Sequence, residues 1–275
     1  MHLIDTKSWL FDYITKKTDR LEEDMLIQLD TICKKLTPHF PGVSEMDIHQ
    51  HLLEHGLFVP WKQDKGTIST FLEQSYEMNT KTHLEWLKKE WQGPDVSVFL
   101  FPSDHTNPDF LREFNAVSGV SHTDKLFLFL PPQVETKKLQ AVLTHEYHHI
   151  CRLAKLKKQE EEFHLLDTII AEGLAEYAVQ EIVGIPYLSK WATLYSLEES
   201  ERHWNDFLSE NQFVEKGTRT HDKLLYGEPP LPPMIGYNCG YQIAKSSAEK
   251  ESFSTVDLLS VDSQTVLQKS SFANR

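Results

Sequence analysis

Two imidazoles four residues apart, with a carboxylate beside the first, stand in the run 141–150: His145, Glu146 and His149 spell H-E-x-x-H. On a helix, side chains at i and i+4 share a face, so both rings can meet one metal ion while the carboxylate reaches a water in an open coordination position. Short motifs also arise in chains that bind nothing, and a lone helix histidine is more often satisfied by ordinary hydrogen bonds. The neighbouring sequence has to decide.

At about 100° per residue, Leu139, Val142, Leu143, Glu146, Ile150 and Leu153 fall in one apolar arc. His149 and His145 border that arc, and His148 lies about 120° away from it. A second helix is expected over 165–183, stopped by Gly184 and Pro186. It sets Glu172 and Glu176 in the middle of a stripe formed by Leu165, Ile169, Val179 and Val183, and it carries a further apolar face of Leu166, Ile170, Leu174 and Tyr177. A buried carboxylate must find a cation, a donor or a proton, and a metal on the first helix is that cation. Glu172 follows His149 by 23 positions, enough for the first helix to end near Leu156, turn through 157–162 and return. His145, His149 and Glu172 then give three ligands and leave a fourth position for water, as in a catalytic rather than a structural zinc site. Glu176, one turn on, reads as the carboxylate that holds a ligand histidine in its tautomer. Exchanged roles for the two glutamates are the alternative. Gly173 between them lets another backbone approach closely.

The segments His145-Glu-Tyr-His-His149 and Ala171-Glu-Gly-Leu-Ala-Glu176 resemble the gluzincin clan of zinc metallopeptidases, and within it the bacterial YjaZ-like family of predicted zinc-dependent proteases, over roughly residues 95–245. The resemblance implies a zincin-like core, His145, His149 and Glu172 as zinc ligands and Glu146 as general base; it implies no substrate. It also implies a strand beside the metal helix that pairs with extended substrate, for which 115–123 is a candidate, with an ordinary connector as the equal alternative. From the region 235–243 it implies a tyrosine brought toward the zinc. Tyr237 is preferred there over Tyr241, His203 and His221, because Gly236 and the proline run upstream fix it at a helix entrance with its hydroxyl free. Tyr241, a turn deeper, packs with neighbours such as Ile243 and Ala244.

Two imidazoles and one carboxylate suit zinc, one ion per chain. The chemistry expected is amide hydrolysis of a peptide or protein substrate. The metal polarises the scissile carbonyl, Glu146 takes the proton of the water and returns it to the leaving amine, and Tyr237 stabilises the oxyanion. A zinc-dependent hydrolase of a non-peptide substrate and an inactive metal-binding scaffold are the alternatives, the second normally showing a broken motif.

The elements that must position these groups read as an α+β fold, mainly helical with a small β-sheet. Residues 1–92 form an N-terminal helical region with amphipathic runs at 9–14, 21–36, 46–53 and 68–91. Gly93-Pro94 opens the catalytic core, 93–250, where the aromatic and aliphatic runs 96–101 and 125–130 are strands. Thr136 is the expected N-cap of the metal helix. An amphipathic helix is expected over 188–208, and the proline-rich run 228–234 reads as a stiff loop rather than a polyproline ligand. Residues 251–275 are a C-terminal appendage with weak helical signals at 256–259 and 266–268. His49, His51 and His55 read as a solvated histidine-rich helix rather than a metal cluster.

A formal net charge of −13 without a basic stripe excludes nucleic acid and anionic membrane surface as partners. No run approaches the ~18 apolar residues of a membrane span, and Asp5 and Asp12 interrupt any signal-peptide core. Cys33, Cys151 and Cys239 are scattered without C-x-x-C spacing, which suits reduced thiols and a cytoplasmic location. Cys151 faces away from the metal side of its helix and is no ligand.

Overall fold

The computed structural model describes residues 1–61, 64–114, 116–158 and 160–273. It forms two compact units, residues 1–85 with 95–143, and residues 86–94 with 144–275.

The first unit contains β1 (His2–Leu3), α1 (Thr6–Lys16), α2 (Leu21–Gln28), α3 (Lys34–Leu36), α4 (Glu45–Glu54), α5 (Asp64–Leu72) and most of α6 (Tyr76–Trp91). It continues with β2 (Ser97–Pro102), α7 (Pro108–Phe114), β3 (Ser118–His122), β4 (Lys125–Leu130) and the start of α8 (Thr136–Leu156). The strands form one sheet in the order β1-β2-β4-β3, with β1, β2 and β4 parallel and β3 antiparallel on β4. Every residue of β4 and all of β2 except Ser97 are buried. That is why these strands read as continuous apolar runs instead of alternating ones.

Three expectations change here. The N-terminus is not helical throughout: Ile4 N–H donates to Val98 O at 3.0 Å and His2 N–H to Val96 O at 2.9 Å, so the chain begins as a strand too short to leave a periodic signal. The run 68–91 is two helices, α5 and α6, interrupted after Leu72. The histidines of α4 are packed rather than solvated. His49 is 5% exposed and bonds Gln28 Oε1 at 2.7 Å, and the His51 ring lies 4.3 Å from that of His55. β3 occupies a sheet edge; Asn115, the first residue of the expected segment, lies outside the described residues.

The second unit holds the rest of α8, α9 (Leu165–Ile182), α10 (Leu197–His203), α11 (Arg219–Tyr226), α12 (Ile235–Glu251), α13 (Thr255–Leu258) and α14 (Ser263–Lys269). Thr136 is the first residue of α8 rather than its cap. α9 is the centre of this unit and is buried on nearly all sides, as its lack of a polar face requires. It runs against α12 at backbone distance. A Cβ on Gly173 would stand 2.0 Å from the Gly240 carbonyl oxygen, and one on Gly240 would stand 2.1 Å from that of Ile169. Around this contact, Ile169, Ile170, Leu174, Cys239 and Ile243 share a core with Leu258, Val266, Leu267 and Phe272, so the last residues of the chain help to enclose α9.

The helix expected over 188–208 is broken into a short turn at Lys190–Thr193, α10, and a wide turn at Trp204–Leu208. Ser196 and Glu199 cap each other's backbone at 3.2 and 2.8 Å, which starts a new helix there. The segment before it is tied down sideways, as described below. Among the described residues, no helix is long and apolar enough to cross a membrane.

Candidate metal centre

All of the metal-site residues expected from the sequence lie in the second unit. α8 presents His145 and His149 one turn apart, their rings 4.9 Å apart and nearly perpendicular. α9 presents Glu172 to both. Its Oε2 is 3.2 Å from His145 Nε2 and its Oε1 is 3.6 Å from His149 Nε2. Donor atoms of these three residues lie within 4.8 Å of one another, and no other group among the described residues has that geometry. Glu176, one turn along α9 and 1% exposed, takes the other face of the same ring, its Oε2 lying 3.1 Å from His145 Nδ1. The backbone N–H of Ser189 donates to Glu176 Oε1, and the Ser189 hydroxyl donates to Oε2 at 3.2 Å.

A tetrahedral shell with bonds of ~2.0–2.1 Å puts neighbouring donors about 3.4 Å apart. Glu172 comes within 3.2 and 3.6 Å of the two imidazoles on its two oxygens, close to that edge, and the three donor atoms within 4.8 Å of one another leave room for one such ion among them. Protonation states point the same way. Burial disfavours the charged form of His145, but the Glu172 and Glu176 carboxylates outweigh it and hold the imidazole well above its ordinary value. Burial likewise opposes the Glu172 carboxylate, and the charged His145 ring bonded to it helps to overcome that and keep its pKa low. His149 is pushed down to about 4, chiefly by burial, and is neutral. Two of the three donors are thus ready as ligands, and the third holds a proton that a divalent cation would displace.

Glu146 is buried, on the same helix as both imidazoles. His148 points elsewhere. It is fully buried, stands edge-on to Trp91 with centroids 5.7 Å apart, and has neither ring nitrogen hydrogen-bonded among the described residues. The Cys151 thiol is buried and pushed up to about 12 by its surroundings, which suits packing and not ligation.

Tyr237 enters from the first turn of α12. Its ring is 5.1 Å from that of Trp191, which in turn lies 6.4 Å from the ring of His145. Burial, then the Glu172 carboxylate, raises its phenol well above the ordinary value, with Tyr226 and Glu146 adding to the shift. The other donors considered for the oxyanion are engaged elsewhere. Tyr241 is 3% exposed and its hydroxyl donates to Gln180 Oε1. His221 is held between Thr168 Oγ1 at 3.0 Å and Asp222 Oδ1 at 2.9 Å, and His203 lies edge-on to Tyr195.

Residues 77–268 match the family described as predicted Zn-dependent protease (DUF2268). The uncharacterized protein YjaZ of Bacillus subtilis (strain 168) is 36% identical over 242 residues, 87% of this chain and 93% of that one. The chain belongs to this YjaZ-like family. A more distant relative, the uncharacterized protein YjfC of the same organism, is 22% identical over 149 residues, 50% of this chain and 49% of its own length. No solved structure matches.

Within the family-matched region, three residues near the donors, Ser189, Trp191 and Tyr226, carry no motif. Ser189 locks the Glu176 carboxylate with two donors. Trp191 spans the space between His145 and Tyr237, and its segment is fixed by Asn238, whose Nδ2 donates to Trp191 O at 2.9 Å and Ala192 O at 3.1 Å. Asn238 is itself held by the Ser200 hydroxyl at 2.6 Å. Tyr226 stands beside Tyr237 with ring centroids 5.6 Å apart. One signal was available: Gly236 and Gly240, four apart on α12, mark two close backbone approaches, Gly236 to Leu225 of α11 and Gly240 to Ile169 of α9.

Proposed function

We propose that this protein is a zinc-dependent peptidase of gluzincin type, with a zincin-like core, in which His145, His149 and Glu172 hold one zinc ion per chain. The observation that carries the reading is His145 itself. One ring nitrogen is bonded to Glu176, while the other faces Glu172 at the spacing a tetrahedral ion needs, with a further carboxylate, Glu146, on the same helix. A carboxylate behind a ligand histidine fixes its tautomer and raises its basicity. Zinc in this position supplies Lewis acidity toward a carbonyl oxygen and brings the pKa of water toward 7.

The chain's own groups carry the remaining work. Glu146, as general base, takes a proton as the water oxygen bonds to the scissile carbonyl carbon, then delivers it to the leaving nitrogen as the C–N bond breaks, giving a carboxylate and an amine. Tyr237 donates its hydroxyl hydrogen to the oxygen on which negative charge develops, in a site where burial makes that donation stronger than in water. Glu176, fixed by Ser189, keeps the His145 Nδ1 proton in place. Residues 93–250 are proposed as the catalytic core, with 1–92 and 251–275 as the flanking regions. The three free, buried cysteines suit a cytoplasmic protein, and the acidic surface suits peptide or protein substrates rather than nucleic acid.

The reading is tested by digesting an unfolded protein substrate with purified enzyme, stripping the metal with a chelator and restoring zinc. Cleavage that disappears and returns with the metal is the expected result. Zinc bound without cleavage, but with turnover of an ester or other non-peptide substrate, would transfer the site to a different hydrolase. Zinc bound with no turnover of any kind would make it a scaffold.

A further inference from the structure

We propose, resting on the peptidase reading, that the ring of Tyr226 walls a subsite for an aromatic side chain next to the scissile bond, which makes extended peptides carrying such a residue the substrate class.

A row of rings runs outward from a metal donor. Trp191 lies 6.4 Å from His145, Tyr237 lies 5.1 Å from Trp191, and Tyr226 lies 5.6 Å from Tyr237 at an interplanar angle of 35°. Exposure rises along it, from 7% for Trp191 to 49% for Tyr226. Burial raises the Tyr226 phenol above its ordinary value, and the Glu172 carboxylate adds to that rise. The ring is thus within the field of a metal donor while about half of the residue stays open to solvent.

A single exposed aromatic on a protein surface needs no explanation. This one stands on a fixed backbone. Gly227 ends α11 in the left-handed region at φ 69°, and its N–H returns to Lys223 O at 3.0 Å. A Cβ on Gly227 would stand 1.8 Å from the Pro232 carbonyl oxygen, so the loop that follows folds back onto the helix end. Pro233 O accepts from the Tyr195 hydroxyl at 2.9 Å, and the Tyr226 carbonyl accepts from Met234 N–H at 2.7 Å. A Cβ on Gly236 would stand 2.8 Å from the Leu225 Cα, so α11 and α12 touch through backbone atoms. Such a ring loses little freedom when a ligand packs on it.

The distances suit a peptide. With Tyr237 at the oxygen of the scissile carbonyl, consecutive Cα atoms of an extended substrate follow at ~3.8 Å, so the side chains flanking that bond project among the rings around Tyr237. Aromatic rings pair best with centroids about 4.5 to 7 Å apart and gain beyond the area they bury. Trp191 is already covered, and Tyr226 is the member of the row with surface left to give.

The test uses pairs of peptides that differ only by phenylalanine or alanine at each position flanking the scissile bond, with zinc content and thermal midpoint measured for every protein. Wild type should favour phenylalanine at one flanking position. In Tyr226→Ala the ratio of kcat/KM for the phenylalanine peptide to that for the alanine peptide should fall about tenfold, mainly through KM. Tyr226→Phe keeps the ring and should keep the preference. No aromatic preference in wild type overturns the proposal, and so does a Tyr226→Ala enzyme that slows on both peptides alike, because that marks a shift of Tyr237 instead of a lost subsite. Should Tyr226→Ala lose its zinc or its midpoint, Tyr226→Gln, of similar length without a ring, takes its place. Binding supplies a second readout without turnover. Zinc-loaded Glu146→Gln should hold the phenylalanine peptide about tenfold more tightly than the same protein carrying Tyr226→Ala, and equal affinity overturns the proposal. If wild type cleaves no peptide, the peptidase reading fails, and this binding comparison alone decides the role of Tyr226.

Discussion

Replacing Gly173 with alanine puts a methyl group where the fold leaves no room. The new carbon would stand 2.0 Å from the Gly240 carbonyl oxygen and 2.1 Å from its carbonyl carbon. Non-bonded contacts need about 3.5 Å, so α12 must retreat from α9 by about 1.5 Å. The obstacle is backbone, and no rotamer change relieves it. Overpacking typically costs ~1–3 kcal/mol, and a backbone obstacle at the centre of the core belongs at about 3. With a urea slope of about 2 kcal/mol/M, the unfolding midpoint should fall by about 1.5 M. The same retreat carries Tyr237 away from Glu172 while leaving α8 and α9 to hold the metal. A misplacement of about 1 Å can lower the rate about 10²-fold, so kcat should collapse in protein that still binds zinc. Gly240→Ala should behave alike, because its methyl meets the Ile169 carbonyl oxygen at 2.1 Å. Gly66→Ala is the control: nothing lies within 4 Å of its Cβ, and a helix interior tolerates alanine better than glycine. Urea titration with zinc analysis reads the outcome. A Gly173→Ala protein with the wild-type midpoint would refute the packing on which the placement of Tyr237 depends.

Metal analysis should give one zinc per chain in wild type and in Glu146→Gln, and a much weakened or absent ion in His145→Ala, His149→Ala and Glu172→Ala; full zinc in Glu172→Ala would pass the ligand role to Glu176. Glu176→Gln should reduce zinc affinity or activity by about 10 to 100-fold without abolishing either, and Ser189→Ala should move the same quantity less far in the same direction. An equilibrium zinc titration with full affinity in both would show that the His145 Nδ1 contact does nothing. In the first unit, His51 and His83 are each pushed down to about 4, mainly by burial. The unfolded chain therefore binds protons from about pH 6.5 downward while the folded unit does not, so the stability these groups contribute is complete above that pH and lost as pH falls toward 4. The urea midpoint should be lower at pH 5 than at pH 7, and His83→Gln should narrow the gap; a midpoint that rises on acidification contradicts the sign.

The cluster of His145, His149, Glu172 and Glu176 was legible in the sequence because each member depended on a local rule. Four-residue spacing put His145 and His149 on one face, and an apolar stripe interrupted by Glu172 and Glu176 required a cation. Gly173 was legible for the same reason, and its contact with Gly240 follows. The strands β2 and β4 were legible as continuous apolar runs ended by proline. What escaped was set by contacts distant in sequence. β1 exists because two residues at the N-terminus pair with β2, ninety-odd positions later. The break in 188–208 exists because Ser189 bonds Glu176, and Asn238 captures the carbonyls of Trp191 and Ala192. The helical period of that segment was sound, but these tertiary bonds override it. Tyr226 carries no motif, and only the junction of α11 with α12 places it beside Tyr237.

The most direct test uses zinc-loaded wild type and Glu146→Gln, each at one ion per chain, digesting a peptide library in water enriched in oxygen-18. New C-termini carrying the heavy oxygen are expected with wild type, and a rate lower by about 10² to 10⁴-fold with Glu146→Gln, the loss expected when a general acid–base group is removed and the metal stays. Equal cleavage by both proteins, or none by a wild type that holds its zinc, would contradict this expectation.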